Sequence, residues 1–270
     1  MAQPTNSKPQ RDQFIALCAD SQSDALALLP AAQLLSTRFR KGLLLLTCSP
    51  DADQWVASVG IPFVALKSDW PSAVQALPVA FNAVLAIVPY DVRAPRGAFA
   101  NPRQLQRNFR QSKIAYIAIP LAAVADGLPA LRNVALTLDH QRESKEKLLW
   151  ASYMARFCGS SILVLHQPYT DQTLLSRCHN NIRYLDKVFS SLSLDYSLRQ
   201  LPQGKQYGNP DLKAVGLADW DLFVAMVPDI RNSDLVDLLT PSLAVRLLQR
   251  VASRPILFLN QRDDLYVLCD

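Results

Sequence analysis

The sequence from Asn133 to Gln167 decides the fold, and it reads NVALTLDHQRESKEKLLWASYMARFCGSSILVLHQ. Residues 134–138 and 162–166 are short apolar runs, typical of strands buried on both faces. Between them, Ser144–Cys158 has helical periodicity with an apolar stripe of Leu148, Ala151, Ala155 and Cys158. The charged residues of this helix fall off the stripe: Lys145, Glu146, Lys147 and Arg156. Two strands joined by a crossover helix pair in parallel, so the stretch predicts a βαβ unit.

The same alternation runs along the rest of the chain. Strand-like runs occur at residues 14–19, 43–47, 61–66, 81–88, 114–119, 196–201, 222–227 and 255–259, with a further short run at 265–268. Helical patterns separate them at residues 25–39, 51–59, 70–77, 101–112, 171–193, 209–218 and 241–252. Pro30 fits the first helix if that helix starts late. Strands that alternate with helices of this size predict a parallel α/β sheet.

Two halves of the chain share one order of five strands and their intervening helices. They also share a short motif, AIVPYDVR at residues 86–93 and AMVPDIR at residues 225–231, which ends the fourth strand of each half. A tandem duplication explains both observations. We therefore predict a flexible polar tail at residues 1–12, a first domain at residues 13–128 and a second domain at residues 129–270.

The second half resembles a universal stress protein domain, and the similarity runs without a gap from residue 139 to residue 167. It rests on Asp139, Ser144, Lys145, Leu148, Trp150, Ala151, Ala155, Gly159, Leu165 and His166. The resemblance implies two tandem Rossmann-like halves of the adenine nucleotide α-hydrolase-like type, each a five-stranded parallel sheet flanked by helices. It also implies an intramolecular pseudo-dimer joined through edge strands, and it leaves a further homodimer open.

In the nucleotide-binding branch of this family, an acidic residue follows the first strand and a glycine-rich loop after the fourth strand holds the phosphates. Asp139 matches the acidic position, and Asp20 takes the same place in the first half. The loop differs, because residues 227–242 read VPDIRNSDLVDLLTPS and contain no glycine. Ser242 alone remains of the helix-opening signature. The resemblance thus gives a degenerate nucleotide site at Asp139 and Ser242 in which ATP is disfavoured, and Asp139 better fits a helix-start or loop-organising role.

A second candidate site lies in the first half. Arg103, Arg107 and Arg110 are spaced i, i+4 and i+7, so they share one face of the predicted helix at residues 101–112. Leu105 and Phe109 fall elsewhere on the same helix. The arginines form either a solvated helix face or a face that receives an anion or an acidic partner.

Composition argues against several classes of protein. The chain has 270 residues, a hydrophobic fraction of 50% and a net charge of +5, which suits a globular protein. No apolar run approaches the ~18–20 residues of a membrane span, and the N-terminus lacks an apolar signal segment, so we expect a cytoplasmic protein. The charge excess is small and contains no Lys/Arg run, so no nucleic-acid partner is expected.

Motifs for metal binding and catalysis are missing from the sequence. The five cysteines have no metal-ligand spacing and are expected to be buried free thiols: Cys18, Cys48, Cys158, Cys178 and Cys269. The three histidines are too dispersed to predict a metal site. Neither Gly-x-Ser-x-Gly, nor a P-loop, nor His-Glu-x-x-His occurs. We therefore expect no catalytic residues, no metal and no resident cofactor.

Together with the resemblance, these observations predict a universal stress protein-like regulatory or interaction module in stress physiology, which acts through a protein partner. Two alternatives stay open. The first is a stress sensor that binds a nucleotide or another anion. The second is a weak nucleotide hydrolase.

Overall fold

The computed structural model describes residues 13–90, 102–109, 112–124, 131–140, 144–166, 168–201, 219–227 and 254–260. Its strands are β1 (Phe14–Cys18), β2 (Gly42–Thr47), β3 (Phe63–Ala65), β4 (Ala83–Tyr90), β5 (Ala115–Pro120), β6 (Asn133–Leu138), β7 (Ser161–His166), β8 (Tyr196–Gln200), β9 (Leu222–Val227) and β10 (Ile256–Asn260). Its helices are α1 (Gln22–Phe39), α2 (Trp70–Ala80), α3 (Pro102–Phe109), α4 (Leu121–Val124), α5 (Ser144–Cys158) and α6 (Gln172–Ser191). None of these described helices has both the length and the apolar character of a membrane span.

The described strands form one sheet in the order β3-β2-β1-β4-β5-β10-β9-β6-β7-β8. In the first half, β3, β2, β1, β4 and β5 run parallel to one another. In the second half, β8, β7, β6, β9 and β10 repeat that arrangement. The first strand of each half lies at the centre of its own five strands. This confirms the predicted fold class of two tandem Rossmann-like halves, each a five-stranded parallel sheet flanked by helices.

The two halves meet where β10 pairs antiparallel with β5. The register places Leu257 opposite Ile117 and Phe258 opposite Tyr116. The rings of Tyr116 and Phe258 contact each other across the junction, with centroids 5.1 Å apart. Because β5 and β10 are edge strands of their own halves, the pairing covers backbone groups that each half would otherwise expose.

Apolar side chains cover both faces of the sheet, as parallel strands require. On one face α1 and α5 pack against the strands, and their Phe39 and Phe157 rings meet with centroids 5.0 Å apart. On the other face α2 and α3 bury Trp70, Leu105 and Phe109. The helices on the first face therefore connect the two halves as well as covering the strands.

The first helix starts earlier than the sequence pattern predicts. It begins at Gln22 rather than near residue 25, because the Ser21 hydroxyl accepts the N–H of Asp24 at 3.2 Å and caps the helix. Pro30 therefore lies inside α1. The carbonyl that loses its helical donor belongs to Leu26, which is 44% exposed, so water can bind it.

The segment after β2 also differs from its prediction. The helix expected at residues 51–59 is a pair of 3₁₀ turns, Ala52–Gln54 and Val56–Val59, and Gly60 ends the second with φ 75°. Glycine adopts this left-handed conformation without a side-chain clash. The strand expected at residues 61–66 is only Phe63–Ala65. The predicted elements at residues 1–12, 209–218, 241–252 and 265–268 lie outside the described residues.

Asn260, the last residue of β10, ties the second half to the first. Its Nδ2 atom donates to the backbone carbonyls of Phe109 and Ser112, each at 2.8 Å. The Asn260 side chain is 5% exposed, so water does not compete for these bonds. The Phe109 carbonyl lies at the end of α3 and the Ser112 carbonyl in the connection to β5, so one side chain fixes both against β10.

We expect Asn260→Ala to lower the free energy of unfolding by about 2–3 kcal/mol, because buried carbonyls lose their donor. For a chain of this size, that change lowers the melting temperature by about 5–10 °C. Circular dichroism during heating measures the effect. Asn180→Ala, at an exposed position of α6, is the matched control and should leave the melting temperature nearly unchanged. Equal melting of both variants would contradict the assigned role of Asn260.

Candidate functional site

The carboxyl ends of β1 and β6 are equivalent central positions in the two halves, and an open α/β sheet binds its ligands at such ends. Asp20 lies two residues beyond β1, and Asp139 follows β6 directly. Both side chains are half-buried. A donor from the chain itself contacts each carboxylate, but the two donors differ in kind.

In the first half, the donor to Asp20 is the indole of Trp70. The Trp70 Nε1 atom lies 2.9 Å from one carboxylate oxygen of Asp20 and 2.8 Å from the other. Trp70 is positioned by the start of α2, where the Asp69 side chain accepts the N–H of Ser72 and caps the helix. Burial raises the pKa of Asp20, and the bonds from Trp70 and from the Cys48 backbone oppose this shift without cancelling it.

In the second half, the donor to Asp139 is the ammonium group of Lys147 on α5. The Lys147 Nζ atom lies 3.4 Å from Asp139 Oδ2 and 3.5 Å from the hydroxyl oxygen of Thr137. The Lys147 side chain is 3% exposed and the Asp139 side chain 20% exposed. A lysine this deeply buried needs a charge partner, and Asp139 provides it.

Further polar groups surround Asp139. The Asn181 side chain on α6 donates to the Asp139 backbone carbonyl at 2.8 Å, so α6 also holds the end of β6. The residue after Asp139 is His140, whose Nδ1 atom lies 3.1 Å from the Tyr169 hydroxyl oxygen. The His140 and Tyr169 rings meet edge to face. Burial, followed by the charge of Asp139, raises the pKa of Tyr169 to about 12. The Tyr169 hydroxyl therefore stays protonated and serves as a hydrogen-bonding group.

The thiols near these carboxylates are not set up as nucleophiles. Burial, followed by the charge of Asp20, raises the pKa of Cys48 to about 12. Burial, followed by the charge of Asp139, raises the pKa of Cys178 to about 11. Both thiols stay protonated at neutral pH and are weak nucleophiles in that form. Within the described residues no three His, Cys, Asp or Glu side chains are grouped to hold a metal ion.

The predicted burial of the cysteines is confirmed in part. The described cysteines are free thiols, of which Cys18 and Cys178 are buried and Cys48 and Cys158 are half-buried. Cys269 lies outside the described residues.

The structure describes the predicted site residues unevenly. Asp139 and its contacts are described, whereas Ser242 and Arg110 lie outside the described residues. Arg103 and Arg107 belong to α3, whose backbone is described, while their side chains are not. The Asp139–Ser242 site and the arginine face therefore both stay predictions.

Sequence reasoning missed Lys147 and Trp70. Lys147 falls off the apolar stripe of α5, a place that suggests a solvated side chain. One signal was present in the sequence, because Lys147 precedes the apolar residues Ala151 and Met154 by four and seven positions and so lies on their side of the helix. Trp70 gave no such signal, since it is 50 residues from Asp20 in the chain.

No protein-family model matches this sequence, and no curated protein matches it either. Solved structures do match over nearly the whole chain. A universal stress protein from Archaeoglobus fulgidus DSM 4304 has a TM-score of 0.64 at 11% identity, with 93% of this chain and 97% of that chain covered. A protein of unknown function from Pseudomonas aeruginosa PAO1 has a TM-score of 0.56 at 14% identity, with 92% of each chain covered.

A third match is the cytoplasmic domain of a prokaryotic cation chloride cotransporter. Its TM-score is 0.58 at 12% identity, with 92% of this chain and 95% of that domain covered. At these identities the likeness concerns the fold. The chain therefore has the two-half fold seen in universal stress protein structures, and the resemblance found in the sequence is confirmed at that level.

Replacing Lys147 should expose the cost of leaving Asp139 without its cation. We expect Lys147→Met to lower the free energy of unfolding by about 2–3 kcal/mol, since the variant breaks a buried ion pair whose carboxylate keeps some contact with water. Urea unfolding measures the change. The exposed Lys187→Met on α6 is the matched control and should change it by less than about 0.5 kcal/mol. Adding Asp139→Asn to Lys147→Met should restore part of the loss, whereas additive losses would contradict the pairing.

The raised pKa of Asp20 predicts a pH-dependent effect of Asp20→Asn. A carboxyl with a raised folded-state pKa stabilises the fold fully below its ordinary pKa of 3.8 and loses that contribution as the pH rises through the folded-state value. Asparagine stays neutral and can still accept the Trp70 N–H. We therefore expect Asp20→Asn to have a higher melting temperature than the unmodified chain at pH 7. At about pH 3.5 the two melting temperatures should be similar.

Melting curves at the two pH values measure this difference. The exposed Asp53→Asn is the control for the same chemical change at the surface and should melt close to the unmodified chain at pH 7. An Asp20→Asn variant that melts lower at pH 7 would mean that the ionised carboxylate is stabilising.

Proposed function

We propose that this chain is a universal stress protein-like, non-catalytic regulatory module of the cytoplasm that acts through a protein partner. The observation that carries the proposal is that donors of the chain itself hold both strand-end carboxylates. A nucleotide bound at either position would have to compete with the Trp70 indole or with the Lys147 ammonium group. Competition with a buried internal partner weakens binding, because the displaced group must find another partner or stay unpaired.

The sequence after β9 supports the same proposal. Phosphate loops use glycines, which let backbone N–H groups approach the ligand, whereas residues 227–242 contain none. Pro228 lacks a backbone donor. The acidic residues of this segment repel phosphate: Asp229, Asp234 and Asp237. A module that has lost the usual ATP-binding loop accounts for this composition.

The chemistry of the described groups favours a role in binding another protein over a role in catalysis. Asp20 and Asp139 are engaged by donors, and the neighbouring thiols and the Tyr169 hydroxyl stay protonated at neutral pH. The cytoplasmic domain of a cation chloride cotransporter shares this two-half fold over 95% of its length, so the fold also serves as one part of a larger protein. Both points support a module that works by binding another protein.

Thermal melting with and without millimolar Mg-ATP, AMP or inorganic phosphate tests the proposal. A ligand at ~100 times its dissociation constant stabilises the native state by about 2.7 kcal/mol. For a chain of this size that means a melting shift of roughly 5–10 °C. We expect a shift below about 1 °C with each of the three ligands, because the strand-end acids are occupied. A parallel assay of phosphate release from ATP should show no turnover.

Two results would contradict the proposal. A shift with ATP or AMP, or slow turnover, that is lost in Asp139→Ala would make this chain a nucleotide sensor or hydrolase. A shift with inorganic phosphate that disappears when Arg103, Arg107 and Arg110 are replaced by glutamine would make it an anion sensor. Lys187→Met is the control in both the nucleotide and the phosphate experiments. Its melting shifts should equal those of the unmodified chain.

A further inference from the structure

Within the part of the chain that the structure describes, the sheet ends in β3 on one side and β8 on the other. β3 has three residues and β8 has five. Tyr196 of β8 is half-buried, and the other four residues of the strand are exposed, so neither face of β8 is fully covered. Among the described strands, β8 is therefore the longer of the two outer ones, and its side chains are largely exposed.

The hydrogen bonds between β7 and β8 show which backbone groups point away from the sheet. Ile162 donates to the carbonyl of Asp195, and Leu201 donates to the carbonyl of His166. Alternate residues of a parallel strand direct their N–H and C=O groups to opposite sides. The odd-numbered residues of β8 therefore bond to β7. The even-numbered residues direct their backbone groups to the open edge: Tyr196, Leu198 and Gln200.

We propose that β8 docks a second copy of this chain, with the two β8 strands antiparallel across a two-fold axis at Leu198. In that register Leu198 exchanges both backbone bonds with its own copy, and Tyr196 exchanges both with Gln200 of the other copy. Every outward backbone group of the strand then has a partner. The arrangement is isologous, since the same patch serves both copies.

The side chains of β8 suit this register. Leu198 is 43% exposed, and its contact with a second leucine removes apolar surface from water. Arg199 comes opposite Ser197 rather than opposite another arginine, so no like charges face each other. Inside the chain, β5 and β10 already pair in the same antiparallel way. An edge strand of this fold is thus able to accept its counterpart from another five-stranded half.

The test is sedimentation velocity from about 1 µM to about 1 mM chain, the range in which small interfaces associate. We expect the unmodified chain to form dimers as the concentration rises. Leu198→Lys places two ammonium groups on the axis, and Leu198→Pro removes an outward N–H without removing a bond to β7. Both variants should stay monomeric. Leu192→Lys alters a leucine that is 38% exposed and outside the strand, and it should dimerise like the unmodified chain.

Cysteine cross-linking tests the register itself. In the proposed pair the two Cα atoms at position 198 are about 5.5 Å apart, within the range of a disulfide, whereas those at position 197 are farther apart than about 7 Å. Oxidation with copper–phenanthroline should therefore link Leu198→Cys between chains and leave Ser197→Cys and the unmodified chain unlinked. Melting curves confirm that each variant is folded.

Three outcomes would overturn the proposal. The first is a monomer throughout the concentration range. The second is a dimer that persists in Leu198→Lys. This variant is informative even if Leu198→Pro disturbs the strand. The third is cross-linking of Ser197→Cys in place of Leu198→Cys. The test does not involve Asp20 or Asp139, so its result is separate from that of the ligand experiments.

Discussion

The antiparallel pairing of β5 with β10 is the interaction on which the rest of the structure depends. Each half is a parallel sheet, which must be covered on both faces and leaves unpaired backbone groups at its edges. Joining the two inner edges satisfies those groups. It also brings α1 beside α5, so that the core on that face continues from one half into the other. Asn260 then anchors the junction to the connection before β5.

That junction leaves the carboxyl ends of β1 and β6 as the sites where ligand chemistry would be expected. The chain fills both with its own side chains but in two different ways. Trp70 offers a neutral N–H to Asp20, whereas Lys147 offers a positive charge to Asp139. The two halves thus have an acidic residue at the same place, with a different partner for it in each half. In each half the result is a carboxylate engaged by the chain itself.

Much of the fold follows from local sequence patterns. The limits of α5 and β9 agree with their apolar periodicity, since a stripe or a short apolar run with a clear end fixes an element wherever it packs. The start of α1 and the turns at residues 51–59 do not follow the apolar pattern. A cap at Ser21 and a left-handed glycine at Gly60 decide them instead, and both act through hydrogen bonds and backbone conformation rather than through hydrophobicity.

By itself, the sequence determined the alternation of strands and helices, its repetition in two halves and the acidic residue at each central strand end, because these depend on neighbouring residues. Only the tertiary structure decided the partners of those acids and which strands join the halves, in which direction and in which register. Trp70 is 50 residues from Asp20, and Asn260 is 151 residues from Phe109. Contacts at such separations depend on how strands are ordered across the sheet, and no local pattern encodes that order.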